Sequence, residues 1–260
     1  MNMKTLEFKV VDRVAIISLN RPKAANGINK LLASELTYVA KQCDNDSAVK
    51  SILLTGKGRF FSAGGDIKEM ASYGADLGLK IKELADDLHT AISTFSRMKA
   101  PVVVAVNGMA AGAGFSLSIT GDIVLASDKA AFMMAYTKAG LSPDGGSSYF
   151  LPRLIGLRRA QDLMLTNKQL SAEQALEWGL ITEVVEDDKL MDRAMEIAKT
   201  LAEGSVNANY AVKKLLLQSF NNSLETQMEI EGRGISFCAS SNDGREGIAA
   251  FIAKRKPVFK

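Results

Sequence analysis

The sequence is poor in the residues from which metal and redox sites are made. It has one histidine, His89, and two cysteines, Cys43 and Cys238, in 260 residues. Two cysteines so far apart have no metal-ligand or redox spacing, and their scarcity points to reduced thiols in a cytoplasmic protein. No metal site is expected. No apolar run reaches the roughly 18 residues that a membrane-spanning helix needs, so a membrane is not among the expected partners. The start, Met1–Asp12, has neither the apolar stretch of a signal peptide nor the Arg- and Ser-rich pattern of a transit peptide. Charge of one sign is lacking too. The 32 basic and 29 acidic residues leave +3, which is no argument for nucleic acid.

What is present is an ordinary globular composition, 47% apolar, on a chain long enough to bury a large core. Leu6–Val11 and Arg13–Leu19 read as strands around a turn at Asp12. Asn29 can cap a helix from Lys30 to about Cys43, with an apolar stripe at Leu31, Leu32, Leu36, Val39 and Ala40. Val49–Thr55 is the next strand. Lys68–Gly78, with Gly74 and Gly78, reads as mobile, and Leu79–Met98 as a long helix. Asp122–Ala126 is a strand and Ala131–Leu141 helical or irregular. Helices follow from Ser147 or Ser148 toward Ile155 and over Arg158–Thr166. Ser171-Ala-Glu-Gln174 is a capping box opening another, and Ile181–Val185 is a strand. Beyond Leu190 only helical patterns occur: Leu190–Ala202, Asn207–Phe220, Leu224–Ser240 and Gly244–Lys254. The fold class is therefore α/β (α+β), with a layered core over 1–189 and a helical part over 190–260.

Two stretches organise the chain. Pro101-Val-Val-Val-Ala-Val-Asn-Gly108 followed by Met-Ala-Ala-Gly-Ala-Gly114 is a β-branched buried strand, a turn and small residues opening a helix. Upstream, Val49–Thr55 leads into Phe61-Ser-Ala-Gly-Gly-Asp66 and then Ile-Lys-Glu-Met70. Each is a strand-to-helix turn with little side chain, where free backbone N–H groups can face an approaching group. One such turn alone reads as punctuation. Two can make an oxyanion hole.

The segments FSAGGDIKEM and NGMAAGAGFSLSITGDIVLAS resemble the two signature segments of the crotonase (enoyl-CoA hydratase/isomerase) superfamily. The likeness runs from Arg21-Pro-Lys-Ala to Phe251-Ile-Ala-Lys-Arg-Lys-Pro-Val-Phe259. It implies a superhelix of stacked ββα units, with C-terminal helices that build a homotrimer or a dimer of trimers. The implied substrate is an acyl-CoA thioester, coenzyme A entering as part of the substrate and not as a separate cofactor. The N–H groups of Gly65 and Ala113 correspond to the family's oxyanion donors, next to Gly112. Such donors are worth roughly 3–4 kcal/mol each. Ala63, Asp66 and Ile67 fall where the family lines its adenine pocket. Lys23 and Ala24 fall beside the phosphate and pantetheine end, and Phe251 and Lys254 resemble residues that reach the coenzyme, sometimes from the next subunit. By composition alone, the basic end at Lys254–Lys256 would be a solvated tail.

The resemblance leaves the reaction open. Where typical hydratases carry two glutamates, this chain has Ser116 and Tyr136, and a hydroxyl at neutral pH is a poor base unless activated. Asp144 lies instead in Leu141-Ser-Pro-Asp-Gly-Gly146, where relatives that shift double bonds hold a carboxylate and where ring-epoxide isomerases carry a similar segment. Pro-Asp-Gly is also ordinary turn chemistry. A lone helical histidine is more often structural, yet His89 falls where the superfamily's 4-chlorobenzoyl-CoA dehalogenase has a catalytic histidine. The leading expectation is an isomerase with Asp144 as base, and Ser116, Tyr136 and His89 as further catalytic candidates. The alternatives are an enoyl-CoA hydratase (a lyase) of fatty-acid or aromatic-acid degradation, a dehalogenase- or thioesterase-like enzyme, and a non-catalytic acyl-CoA- or RNA-binding homologue.

Overall fold

The computed structural model describes residues 3–259. A hairpin opens the chain: β1 (Leu6–Val11) pairs antiparallel with β2 (Val14–Leu19). Asp12 and Arg13 between them both have positive φ, 51° and 66°, as a two-residue turn matched to strand twist requires. Asn29 accepts from Leu32 N at 3.0 Å and starts α1 (Lys30–Asn45). From β3 (Ser51–Gly56) the chain repeats one pattern. A long strand is followed by a three-residue strand and then by a helix. The first unit is β3, β4 (Phe60–Ser62), the short α2 (Ile67–Ala71) and α3 (Leu77–Arg97). The second is β5 (Val102–Val106), β6 (Met109–Ala111) and α4 (Ala113–Ser118). The third is β7 (Ile123–Ser127), β8 (Ala131–Met133) and, after the Pro143–Gly146 turn, α5 (Ser147–Ile155). Then come α6 (Leu157–Thr166), β9 (Leu170–Ser171), α7 (Ala172–Glu177), β10 (Glu183–Val185), α8 (Leu190–Ala202), α9 (Val206–Ser219), α10 (Leu224–Ser240) and α11 (Asn242–Ile252).

The long strands form one sheet in the order β1-β2-β3-β5-β7-β10, parallel from β2 onward. The short ones form a second, β4-β6-β8-β9, with β4, β6 and β8 parallel. The stacked ββα units thus have a plain cause: each unit adds one strand to each sheet. Both faces of the larger sheet are covered. Val102, Val104 and Val106 of β5 face the main core, while Val103 and Ala105 face a second core under α8. This explains why β5 reads as an unbroken apolar run.

Three expectations need revision. Ala131–Leu141, read as helical or irregular, begins with β8 and continues into a 3-10 turn at Thr137–Ala139. Lys68–Gly78 holds most of α2, a 3-10 turn at Gly74–Asp76 and the start of α3. The boundary at 189/190 falls before a helix that belongs to the core layer. Leu190, Ala194, Ala198 and Ala202 of α8 pack on the larger sheet, and Ser51 Oγ donates to Ala198 O at 2.7 Å. Even α9 is tied in: buried Lys213 donates to Phe95 O and Ala100 O, both at 3.0 Å, and pairs with Asp122 at 2.7 Å. Only α10, with no buried residue, and α11, with Ala250 alone, stand off from the core. Among the described residues no helix is long and apolar enough to cross a membrane.

Candidate functional site

The two glycine turns meet because β4 and β6 are neighbours in the smaller sheet. Gly64 has φ +94°, and a Cβ there would lie 2.8 Å from Ala111 O and 3.3 Å from both Gly112 Cα and Ala113 N. Gly112 has φ +51°. Only glycine holds both backbones at this approach without strain. Neither the Gly65 N–H nor the Ala113 N–H has a backbone partner among the described residues. Ala113 is the first residue of α4, where a free N–H is inherent.

A buried frame holds the first turn. Ser62 Oγ donates to Asn26 O at 2.8 Å and accepts from Gly64 N at 3.2 Å. Asn26, left-handed and fully buried, donates to Lys57 O and Phe60 O at 3.0 and 2.8 Å. Ile28 N donates to Gly64 O at 2.7 Å and Asp66 N to Ile28 O at 2.9 Å. Lys23 and Ala24 lie in a 3-10 turn over Pro22–Ala24, and Ala24 comes close to Asp66 around Gly27, whose Cβ would lie 3.1 Å from Ala24 O and 3.5 Å from Asp66 Cα. Ala63 N binds Ala25 O, one residue beyond Ala24, at 2.9 Å. Ile67 is 60% exposed. Asp66 caps α2 and pairs with Arg21 at 2.8 Å. Burial opposes its ionisation, but the Arg21 guanidinium and backbone N–H groups win and hold its carboxyl below the usual range. Sequence reasoning missed Arg21, Asn26 and Ser62 as parts of this frame. The signal was present in Ala25-Asn26-Gly27, since Asn before Gly suits a left-handed turn.

Asp144, Tyr136, Ser116 and His89, far apart in sequence, form one cluster. Tyr136 Oη donates to Asp144 Oδ1 at 2.6 Å and lies 2.9 Å from Ser116 Oγ. Gly145 N donates to His89 Nε2 at 3.0 Å, and that nitrogen is 3.6 Å from Asp144 Oδ2. Accepting from Gly145 leaves the ring proton of neutral His89 on Nδ1. Gly145 and Gly146 have φ of +63° and +73°. A Cβ on Gly145 would sit 2.7 Å from Ser116 Cβ, so the Asp144 turn is seated on α4, which begins at Ala113. Ser116 is fully buried and Tyr136 nearly so. Burial, and then the Asp144 carboxylate, push the Tyr136 phenol far above its ordinary range.

The structure does not bring Phe251 and Lys254 into this neighbourhood as contacts of the same chain. Phe251, on α11, is 86% exposed, and Lys254 follows that helix with φ 52°.

The comparisons with known proteins agree with this architecture. The family described as enoyl-CoA hydratase/isomerase matches residues 10–260. A 1,2-epoxyphenylacetyl-CoA isomerase of Escherichia coli is 39% identical over 250 residues, covering 95% of this chain and 94% of the relative. A 2,3-dehydroadipyl-CoA hydratase of the same organism is 33% identical over 248 residues, covering 95% of each. The crystal structure of an enoyl-CoA hydratase from Bacillus anthracis superposes with a TM-score of 0.93 at 30% identity, over 99% of both chains. Isomerases and hydratases thus stand together among the relatives. The chain belongs to the enoyl-CoA hydratase/isomerase family.

Proposed function

We propose that this acyl-CoA enzyme is an isomerase in which Asp144 moves a proton along a thioester enolate. The thioester oxygen lies between the N–H groups of Gly65 and Ala113. Asp144 takes a proton from the carbon next to the thioester or from its vinylogous counterpart. The two donors hold the resulting enolate, and the proton returns at another carbon or opens a strained ring. Lys23, Ala24, Ala63, Asp66 and Ile67 take the coenzyme, and Phe251 and Lys254 reach it from a neighbouring subunit. The observation that carries the proposal is that the Tyr136 hydroxyl is engaged with Asp144 and the Ser116 hydroxyl with Tyr136. Neither hydroxyl is left as a base for water, so hydration by two carboxylates has no second carboxylate to use. The E. coli relative named for 1,2-epoxyphenylacetyl-CoA isomerisation supports including ring epoxides beside 3-enoyl thioesters. The test is turnover against 3-enoyl-, 2-enoyl-, aryl- and haloaryl-CoA thioesters, with product analysis. Hydration of a 2-enoyl-CoA without any isomerisation would overturn the proposal.

A second reading has its own support. His89 Nε2 stands 3.6 Å from Asp144 Oδ2, close enough for an imidazole to activate water beside a nucleophilic carboxylate once Nε2 is released from Gly145 N–H. Under it the protein is a dehalogenase- or thioesterase-like enzyme, and a covalent adduct forms on Asp144.

The assembly we propose is a trimer or a dimer of trimers through the C-terminal helices. Leu216, Phe220, Leu224, Ile235, Phe237 and Ile252 all lie exposed on or beside α9, α10 and α11, large apolar side chains of the kind that a subunit contact covers. Sedimentation of a monomer at micromolar concentration would contradict it.

A further inference from the structure

We propose that Tyr136, backed by Ser116, is a positioning residue that occupies Asp144 Oδ1 and leaves Oδ2 as the one oxygen through which the proton passes. The inference rests on the reading of Asp144 as the base. It begins with hydrogen bookkeeping. A carboxylate has no hydrogen to give, so the 2.6 Å contact is donated by the Tyr136 phenol. That phenol's single hydrogen is then spent. The 2.9 Å contact between Tyr136 Oη and Ser116 Oγ, which geometry alone leaves undirected, must therefore run from Ser116 to Tyr136. The alternative acceptor for Ser116, Gly112 O, is 3.4 Å away. The chain of donors has one direction, Ser116 to Tyr136 to Asp144, and ends on Oδ1.

Oδ2 has no such donor among the described contacts. The nearest ring nitrogen, His89 Nε2, carries a lone pair already facing Gly145 N–H at 3.0 Å. It offers Oδ2 no hydrogen while the imidazole is neutral. The same His89–Gly145 bond fixes the backbone directly after Asp144. Ser147 N and Ser147 Oγ fix the carbonyl, donating to Asp144 O at 3.2 and 2.9 Å. The carboxylate is thus held at one oxygen, and its turn is held on both sides. Burial and the adjacent carboxylate push the Tyr136 phenol far above its ordinary range, so at neutral pH it keeps its hydrogen and donates it. When Oδ2 collects a proton, Oδ1 becomes the carbonyl oxygen and keeps the phenol bond. The orientation therefore survives both halves of the transfer.

The experiment follows deuterium entering the α-carbon of phenylacetyl-CoA and of 3-hexenoyl-CoA in heavy water, by NMR, with the full-length protein. Tyr136→Phe removes one oxygen and should slow exchange about 10–100-fold, the scale of a misplaced base. The half-saturating thioester concentration should move by less than about threefold, because coenzyme contacts lie elsewhere. Ser116→Ala should slow exchange by a smaller factor in the same direction. A folded Tyr136→Phe protein that exchanges at the wild-type rate overturns the inference. So does one whose loss lies entirely in the saturation concentration. Should Tyr136→Phe fail to fold by circular dichroism, Ser116→Ala decides, and an unchanged rate there overturns the donor chain. Asp144→Asn separates the two levels. Undiminished exchange in that variant sinks the base assignment itself. Abolished exchange, with Tyr136→Phe unimpaired, sinks only the positioning role.

Discussion

The glycine turns and the Asp144 turn are built on opposite principles. At Gly64–Gly65 and Gly112–Ala113 the atoms that act under the proposed mechanism are backbone, and the turns themselves carry almost no side chain. Geometry there is set by the pairing of β4 with β6 and by the Ser62–Asn26 frame. At Pro143–Gly146 the group that acts under the proposed mechanism is a side chain, and geometry is set by what touches the turn: Tyr136 from the loop after β8, Ser116 from α4 and His89 from α3. Backbone donors tolerate any residue that keeps the path. A carboxylate depends on each neighbour separately. One family can therefore keep the first device while changing the second, which is why membership alone does not name the reaction.

The comparison can be broken most severely at Gly64. Gly64→Ala places a methyl 2.8 Å from Ala111 O at a φ of +94°. It should push the two donors apart and cut turnover by roughly 10²–10³-fold, the loss seen when an oxyanion donor is removed. A folded variant with near-normal kcat would show that the close approach is unnecessary.

Gly145→Ala attacks the other turn. Its methyl would lie 2.7 Å from Ser116 Cβ, moving Asp144 and costing about 10–100-fold in kcat. Adding Ser116→Gly clears the collision and should recover part of the rate, though not the cost of a left-handed alanine, about 1–2 kcal/mol. Without any recovery in the double variant, the loss comes from φ and not from contact.

The sequence carried the backbone device almost entirely and the side-chain device in fragments. Gly65, Gly112 and Ala113 were legible because two small-residue turns follow two strands in order and resemble the family's signature segments; either turn alone would have read as punctuation. Helix limits such as Asn29 and Ser171 were legible from local capping, which the structure repeats. The smaller sheet was not, since β4, β6 and β8 have three residues each and three residues display no period. Asp144, Tyr136, Ser116 and His89 could each be named as candidates. That they touch could not be read, because their meeting depends on how three ββα units stack. The packing of α8 on the sheet was likewise hidden, its apolar face being ordinary for any amphipathic helix.

His89→Ala sharpens the contrast between the two readings of Asp144. If the carboxylate is a base, the loss of the Gly145 bond should slow turnover only about 3–10-fold, as one hydrogen bond to a positioned turn is worth roughly 0.5–1.5 kcal/mol. If it is a nucleophile, a covalent adduct on Asp144 should accumulate with a haloaryl-CoA and appear as added mass. The smallest effect belongs to Ala113→Gly, which keeps the N–H and should change kcat by less than about threefold. A large loss there would mean that the Ala113 methyl, and not its N–H, is what the site uses.

The central claim is that Asp144 carries the proton, and deuterium exchange in heavy water tests it with least intervention. The wild-type protein should wash deuterium into the α-carbon of phenylacetyl-CoA or 3-hexenoyl-CoA. Asp144→Asn keeps the size and the turn but cannot accept the proton, so exchange should fall by roughly 10²–10⁴-fold. Exchange at the wild-type rate in a folded Asp144→Asn protein would contradict the account and leave Asp144 as a turn residue alone.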